Sequence, residues 1–592
     1  MNKVNKKLML AIISIMVISI MVISIVACDK ELSNNNSNNQ SSDTSATITV
    51  PSADNMFTEK DLEEDVDLEE AATITLSNNS ISSSSSSVSI SGSTATITKA
   101  GTYTISGTLT GGYIVVDAKD EKVTIVLQNA DITSSTFSGL YIKDAEKVFL
   151  VLQGTNSITT TASTFTQIDD TKVDGAVFSS DDICIKGDGT LTISSTKHGI
   201  VAKDDLKLIS GTVSITANSK GIDANDSFRM AGGNLVITSG KDGIHVENED
   251  DSDLGYIYIE NGSIDITSGE DGISASATLQ IIDGEIQIKA GGGSNYSSST
   301  TDSLKGIKAS GDMVISGGDV NINSADDAIH SNGSISISNA TLTLSSGDDG
   351  VHADSSLIIN SGTILITKCY EGLEGYNIAV KGGDIDITSS DDGFNAAGGG
   401  DSSNGGGMFG GDQFSRTTTS TDVFINISGG TIKVCANGDG IDSNGSITIS
   451  GGYIYIQGPA SDGNQAVDWE SSGTITGGYL IALGYSGMAN NFTSASQGSV
   501  LYTLSSYASS GTIVSMKDSN GNTLSNMSMT SSKQFNSILI SSPDMQSGSS
   551  YTLDIGGTSY SITLSSNTYS NGGNSMSGGP GGGGMTRPGG MR

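Results

Sequence analysis

The chain has 592 residues, a formal net charge of -36 and only 35 % hydrophobic residues, with 76 Gly and 5 Pro. So acidic a chain repels phosphate, which sets nucleic acid aside as a partner and leaves cations, neutral ligands, or acidic ligands bridged by a metal. Its wealth of turn formers and β-branched residues speaks against helices in series, and its length against one conventional core.

The first element is a targeting segment. Lys3, Lys6 and Lys7 precede an apolar run from Leu8 to Ala27, closed by Cys28. A basic start followed by an apolar stretch is an export signal. Residues 1–28 resemble a bacterial lipoprotein signal, which implies that Cys28 becomes the lipidated first residue. An uncleaved membrane anchor is the alternative, since the length permits a span. Either way, the bulk of the protein is expected outside the cytoplasm and held at the membrane. Residues 29–72 read as a polar and acidic linker. "NNNSNNQSSDTS" is low complexity, and the acidic run "EKDLEEDVDLEE" at 59–70 has the composition of a solvated spacer. Cys184, Cys369 and Cys435 form no C-x-x-C motif and read as small packing residues.

From about residue 73 the pattern becomes β-like and repeats. A small residue marks each unit at Gly199, Gly221, Gly243, Gly272, Gly306, Ala328, Gly350, Gly372, Gly393 and Gly440. Five steps, 199–221, 221–243, 306–328, 328–350 and 350–372, are 22 residues long. Longer steps follow Gly243, Gly272 and Gly393, where Gly/Ser-rich or acidic insertions stand. A fixed period of this size is the signature of a solenoid. Within one unit, Val351 and Ala353, Leu357 and Ile359, and Ile364 and Ile366 alternate with polar residues. Three short period-two segments separated by turns make one triangular coil.

The expected fold is therefore all-β: a right-handed parallel β-helix over 73–483, with three strands per coil of about 22 residues. About thirteen coils stacked at ~4.8 Å would form a rod on the order of 60 Å long. A propeller needs blades of roughly 40 residues and does not fit. Residues 484–565 lose the period and read as a small C-terminal β cap, with a hairpin turn at Asn520-Gly521. Residues 566–592 form a Gly-rich, flexible tail.

Stacking turns sequence columns into spatial rows. The position before the marker holds His198, Lys220, Asp242, Asp271, Lys305, Asp327, Asp349, Glu371, Asp392 and Asp439. The first outward position after it holds His245, Lys308, His330, His352, Glu374, Asn395, Asp442 and Asp468. Ionised carboxylates at ~4.8 Å repel by about 1 kcal/mol or more. A hard divalent cation between coils would remove that cost, and calcium takes six to eight oxygens with tolerant geometry. Two clusters are the candidate calcium sites: Asp326, Asp327, Asp348 and Asp349 with Asp354 nearby, and Asp391, Asp392, Asp439 and Asp442. The alternative role for these residues is turn formation, which Asp before Gly favours. His330, His352, Asn332 and Asn444 are candidate ligand contacts on the same rows.

The motifs "DDGVHAD", "DDAIHSNG", "DDGFNA" and "GDGIDSNG", with the lipoprotein-type start and Gly-rich tail, resemble one family. It is the clostridial carbohydrate-binding β-helix proteins that bind cellulose and polygalacturonate. The resemblance implies a right-handed β-helix similar to pectate lyases, with bound calcium and sugar binding without established cleavage. Asp327, Asp349, Asp392 and Asp439 fall at its Asp-Gly turns, whereas Lys220, Lys305 and Glu371 interrupt the column.

These readings converge on a surface-anchored, calcium-binding and non-catalytic protein whose partner is a plant cell-wall polysaccharide. A calcium-dependent lyase is the alternative. It requires a basic residue to remove a proton beside a uronate carboxyl. The only arginines are Arg229, Arg416, Arg587 and Arg592, and no acidic cluster is visibly paired with Arg229, while Lys305 and Lys308 sit closer to the acidic rows and stay open as the base. A structural or adhesive rod without sugar ligand is a further alternative.

Overall fold

The computed structural model describes residues 48–167, 171–296, 302–396 and 423–572. The signal segment with Cys28, the linker up to residue 47, Arg416 and the tail from 573 lie outside the described residues.

The described chain is all-β apart from two short helical turns, and 46 of its strands form one continuous sheet. Strand pairing follows the repeat. Val351–Ile359 runs parallel to Ile329–Ser331 and Ile335–Ile337 before it and to Leu373–Val380 after it. The third strands pair likewise: Thr212–Ala217 with Asn234–Ser239, then Ser263–Ser268, Glu285–Ala290 and Asp319–Ser324. Each unit thus satisfies its backbone through the next unit.

Register aligns the inward residues. Ile193, Ile215, Ile237, Ile266, Ile288 and Ile322 form one row, and all are buried. β-Branched side chains have few rotamers to lose and stack well on a pleated face. Each contributes about 1.5–3 kcal/mol on burial. The resulting apolar interior is continuous from Ile74 to Leu539.

The small marker residue is explained by crowding at one corner. A Cβ at Gly350 would lie 2.5 Å from Ile366 Cδ1 and 2.6 Å from Gly372 O. The corner therefore brings the backbones of neighbouring units into close approach.

The C-terminal region closes the stack. Phe535–Ser542 runs antiparallel to both Ser472–Gly484 and Gly498–Ala508. Ile481, Leu483, Val500, Ile538 and Ile540 build a second core there. An unpaired sheet end would invite aggregation, and this cover removes it. A separate four-stranded antiparallel sheet follows, with Asn520 and Gly521 in the turn between Ile513–Lys517 and Thr523–Thr530. Thr568–Ser570, expected within the flexible tail, instead forms a strand paired with Gly498–Ala508.

The largest departure from expectation is the acidic linker. Residues 48–63 are not a solvated spacer, whereas Glu64, Asp65, Asp67, Glu69 and Glu70 beyond them are exposed. The former lie along the second-strand face of the stack. Met56 is buried against Tyr256 and Tyr258, and Asp61 is fully buried. Thr58 caps a helical turn at Glu59–Leu62, accepting from the Asp61 N–H while Asp61 accepts from the Thr58 N–H. The composition of the run hid the cations that wait for it on distant strands.

Candidate functional site

The acidic column occupies the corner between the third strand of one unit and the first strand of the next. A serine sets each corner: the hydroxyls of Ser324, Ser346 and Ser389 donate to the carbonyls of Asp326, Asp348 and Asp391. The following Asp then stitches units together. Asp327 Oδ1 accepts the Asp349 N–H at 3.0 Å, and Asp349 Oδ1 accepts the Glu371 N–H at 3.2 Å. Asp392 Oδ1 accepts the Asp439 N–H at 2.5 Å, and Asp439 Oδ1 accepts from Gln465 N–H. One carboxylate oxygen per unit therefore serves the backbone, so folding does reward part of the row. The other oxygen of Asp327 and of Asp349 meets a further partner.

In the first cluster the protein supplies that partner itself. Lys305 Nζ lies 2.5 Å from Asp327 Oδ2 and 3.3 Å from Asp326 Oδ1. Asp327 also meets His330 Nδ1 at 2.8 Å. Despite burial, Lys305 and the two histidines hold the Asp327 carboxyl far below the usual range. One unit on, His352 Nδ1 lies 3.2 Å from Asp349 Oδ2 and 2.5 Å from Glu374 Oε2, with Nε2 3.0 Å from Asp354 Oδ1. Burial opposes a charge on His352, but these three carboxyls outweigh it and hold the ring protonated. Burial and the neighbouring acids push Asp349 up, while hydrogen bonds to His352 and Asp349 hold Glu374 down.

The His330 and His352 rings stack with centroids 4.7 Å apart, and both are buried. They are therefore internal partners of Asp327 and Asp349 rather than exposed ligand contacts. Asn332 is exposed and donates to Asp354 at 2.9 Å. Asp326, Asp327 and Asp348 do converge, and Asp348 is exposed, but Lys305 already stands among them as a cation. Calcium fits this cluster less well than its sequence suggested. Glu374, one step along the column from His352, completes it and was not among the expected site residues.

The second cluster differs in kind. Asp392, Asp439 and Asp442 bring carboxylate oxygens within 4.8 Å of one another. That separation suits one calcium, whose oxygens lie 2.3–2.6 Å from the ion. Burial, then Asp392 and the other nearby acids, pushes Asp439 up to about 8. Burial, Asp392, Asp468 and Glu470 push Asp442 up to about 8 as well. Asp468 is the register partner of Asp442, and Asn395 precedes it on the same row. The donors are hard oxygens, so this set fits calcium on both charge and ligand type. Asp391 joins the corner through its carbonyl rather than the three-carboxylate group, and Asn444 sits half-buried two residues beyond Asp442.

Arg229 is not an idle base. Its guanidinium lies 2.8 Å from Asp205, donates to Met56 O at 3.1 Å and packs over Tyr256. The geometry ties it into a covered face away from the acidic corner.

The family model of carbohydrate-binding domain-containing proteins matches residues 91–350 and 348–536, which is most of the chain. The chain belongs to that family. Both clusters and the covered face fall within this carbohydrate-binding domain. A carbohydrate-binding domain-containing protein of Acetivibrio thermocellus is 40 % identical over 117 residues. That match spans 19 % of this chain and 41 % of the relative, less than half of the relative's length. A solved structure described as a polysaccharide lyase-like protein from C. thermocellum, gadolinium derivative, is 30 % identical. It covers 49 % of this chain and 96 % of its own, with a TM-score of 0.34.

Proposed function

We propose that this protein is a calcium-binding, non-catalytic polysaccharide-binding protein of the cell surface, held there by a lipid at Cys28. Its repeated units would form a right-handed parallel β-helix, which the parallel pairing of equivalent strands supports. The observation that carries the reading is the trio Asp392, Asp439 and Asp442, whose oxygens converge in an acidic, half-buried corner. These residues would hold the ion. When bound, calcium supplies a positive centre that a uronate carboxylate on a pectin-type glycan can share. That bridge reconciles an acidic protein with an acidic ligand.

The protein's own residues do the rest. Asp392 and Asp439 each give one oxygen to the next unit's backbone, which fixes the carboxylates before any ligand arrives. Asp468 accepts from Gln465 and from the Trp469 N–H, which orients the row beyond Asp442.

Retention of the protein on immobilised polygalacturonate and on cellulose, with calcium or with chelator, tests the reading. Retention on polygalacturonate that chelator abolishes is expected. Retention on neither matrix would overturn it.

A further inference from the structure

The second-strand face carries a row of cations that is unusual in so acidic a chain. Register places Phe149, Cys184, Lys207, Arg229, Tyr258 and Gln280 one above another. Lys147 and Lys186 flank the row and lean over the Phe149 ring. Lys147, Lys186 and Lys207 are almost fully buried. The cover is the acidic N-terminal segment.

Its contacts follow the row along the stack axis. Thr49 N–H donates to Asp312, Pro51 O accepts from Gln280, and Met56 O accepts from Arg229. Phe57 packs on Tyr258. Asp61 then meets Lys147 at 2.7 Å and Lys207 at 3.4 Å. Lys186 donates to the carbonyls of Lys60 and Glu63. The segment therefore behaves as a ligand: an extended chain with a carboxylate on paired lysines, carbonyls on further cations, and an apolar side on tyrosines. A polar cleft remains open at its end, lined by Lys60, Asp65, Asp67, Thr102, Thr124 and Lys186.

We infer that this face is a second, metal-independent binding track for an acidic polysaccharide of uronic acid units, and that residues 48–66 are a strap which occupies it until the glycan displaces them. The inference rests on the acidic-glycan reading above, but it uses different residues and no metal. A uronate carboxylate would take the place of Asp61 between Lys147 and Lys207. Sugar hydroxyls would replace the strap carbonyls on Lys186 and Arg229, and sugar faces would pack where Met56 and Phe57 meet the tyrosines. Asp182 and Asp205 stay beside Lys147, Lys207 and Arg229 when the strap leaves, but a neutral glycan would leave the seat of the Asp61 carboxylate between Lys147 and Lys207 unfilled, so charge selects the ligand.

The test uses the full-length chain in chelator, with polygalacturonate as the probe. Two variants loosen the strap differently. Asp61→Asn removes its buried charge. A specific protease site inserted between the exposed Glu69 and Glu70 lets the strap be severed without touching a buried contact. Both are expected to bind the probe at least about tenfold more tightly than the parent, with a gain that shrinks as salt rises. The probe should also release the severed strap peptide on gel filtration. Adding Lys207→Gln and Arg229→Gln to the severed form should abolish the gain. If severing neither raises affinity nor allows the probe to release the strap, the inference is overturned, even where Asp61→Asn fails to fold. Calcium-dependent retention of the parent is a separate readout, so failure of one reading is distinguishable from failure of the other.

Discussion

Asp327 and Asp349, 22 residues apart, lie in successive units with the Asp349 N–H donating to Asp327 Oδ1 at 3.0 Å. The other oxygen of Asp327 faces Lys305 and His330. One side chain thus joins two units, pairs with the Lys305 cation and meets the His330 ring. Asp327→Ala strands the backbone donor and takes from the buried Lys305 the nearer of its two acidic partners, and should cost about 3–5 kcal/mol in urea unfolding. Asp327→Asn keeps the acceptor and should cost less. Equal losses for the two would show that the backbone link contributes nothing.

Asp271 gives a pH signature outside both clusters. It is buried, and desolvation with the charge of Asp242 pushes it up to about 6. A carboxyl raised in the folded state binds more protons folded than unfolded between about pH 4 and 6. Stability from this group therefore falls as pH rises through that window, and stays low above it. Asp271→Asn retains an acceptor for the Lys305 N–H, which Asp271 Oδ1 accepts at 2.7 Å. The variant should flatten the decline and be more stable than the parent at pH 7 by about 1–3 kcal/mol. Parallel pH profiles of thermal midpoint would refute this.

His352 is predicted to be cationic at neutral pH. Three carboxyls surround it, so His352→Ala leaves buried acids without their counter-charge and should destabilise by about 3–5 kcal/mol. The ring's nitrogen shifts in an NMR titration should show both sites protonated at pH 7.5. A ring that titrates near 6.5 would contradict the assignment.

Much of this architecture was legible because the period is rigid. Once the step of 22 is seen, Ile329 must sit under Val351 and His330 under His352, and the register places them there. The chemistry of the first cluster was harder to read. Lys305 appears in the column as an interruption, yet its long side chain reaches one unit on to Asp326 and Asp327 and acts as their cation. The strap was illegible for a different reason. Lys207 and Arg229 become neighbours in one row only through register, and Lys147, far before Lys207 in sequence, reaches their side only through Asp61. An acidic run that meets no nearby basic partner then reads as solvated.

Calorimetric titration of calcium into the full-length chain, beside Asp439→Asn and Asp442→Asn, tests the central claim most directly. The account predicts binding by the parent, loss in both variants, and proton release on binding near pH 7 because Asp439 and Asp442 stand at about 8. Undiminished calcium binding in both variants, or none in the parent, would contradict it.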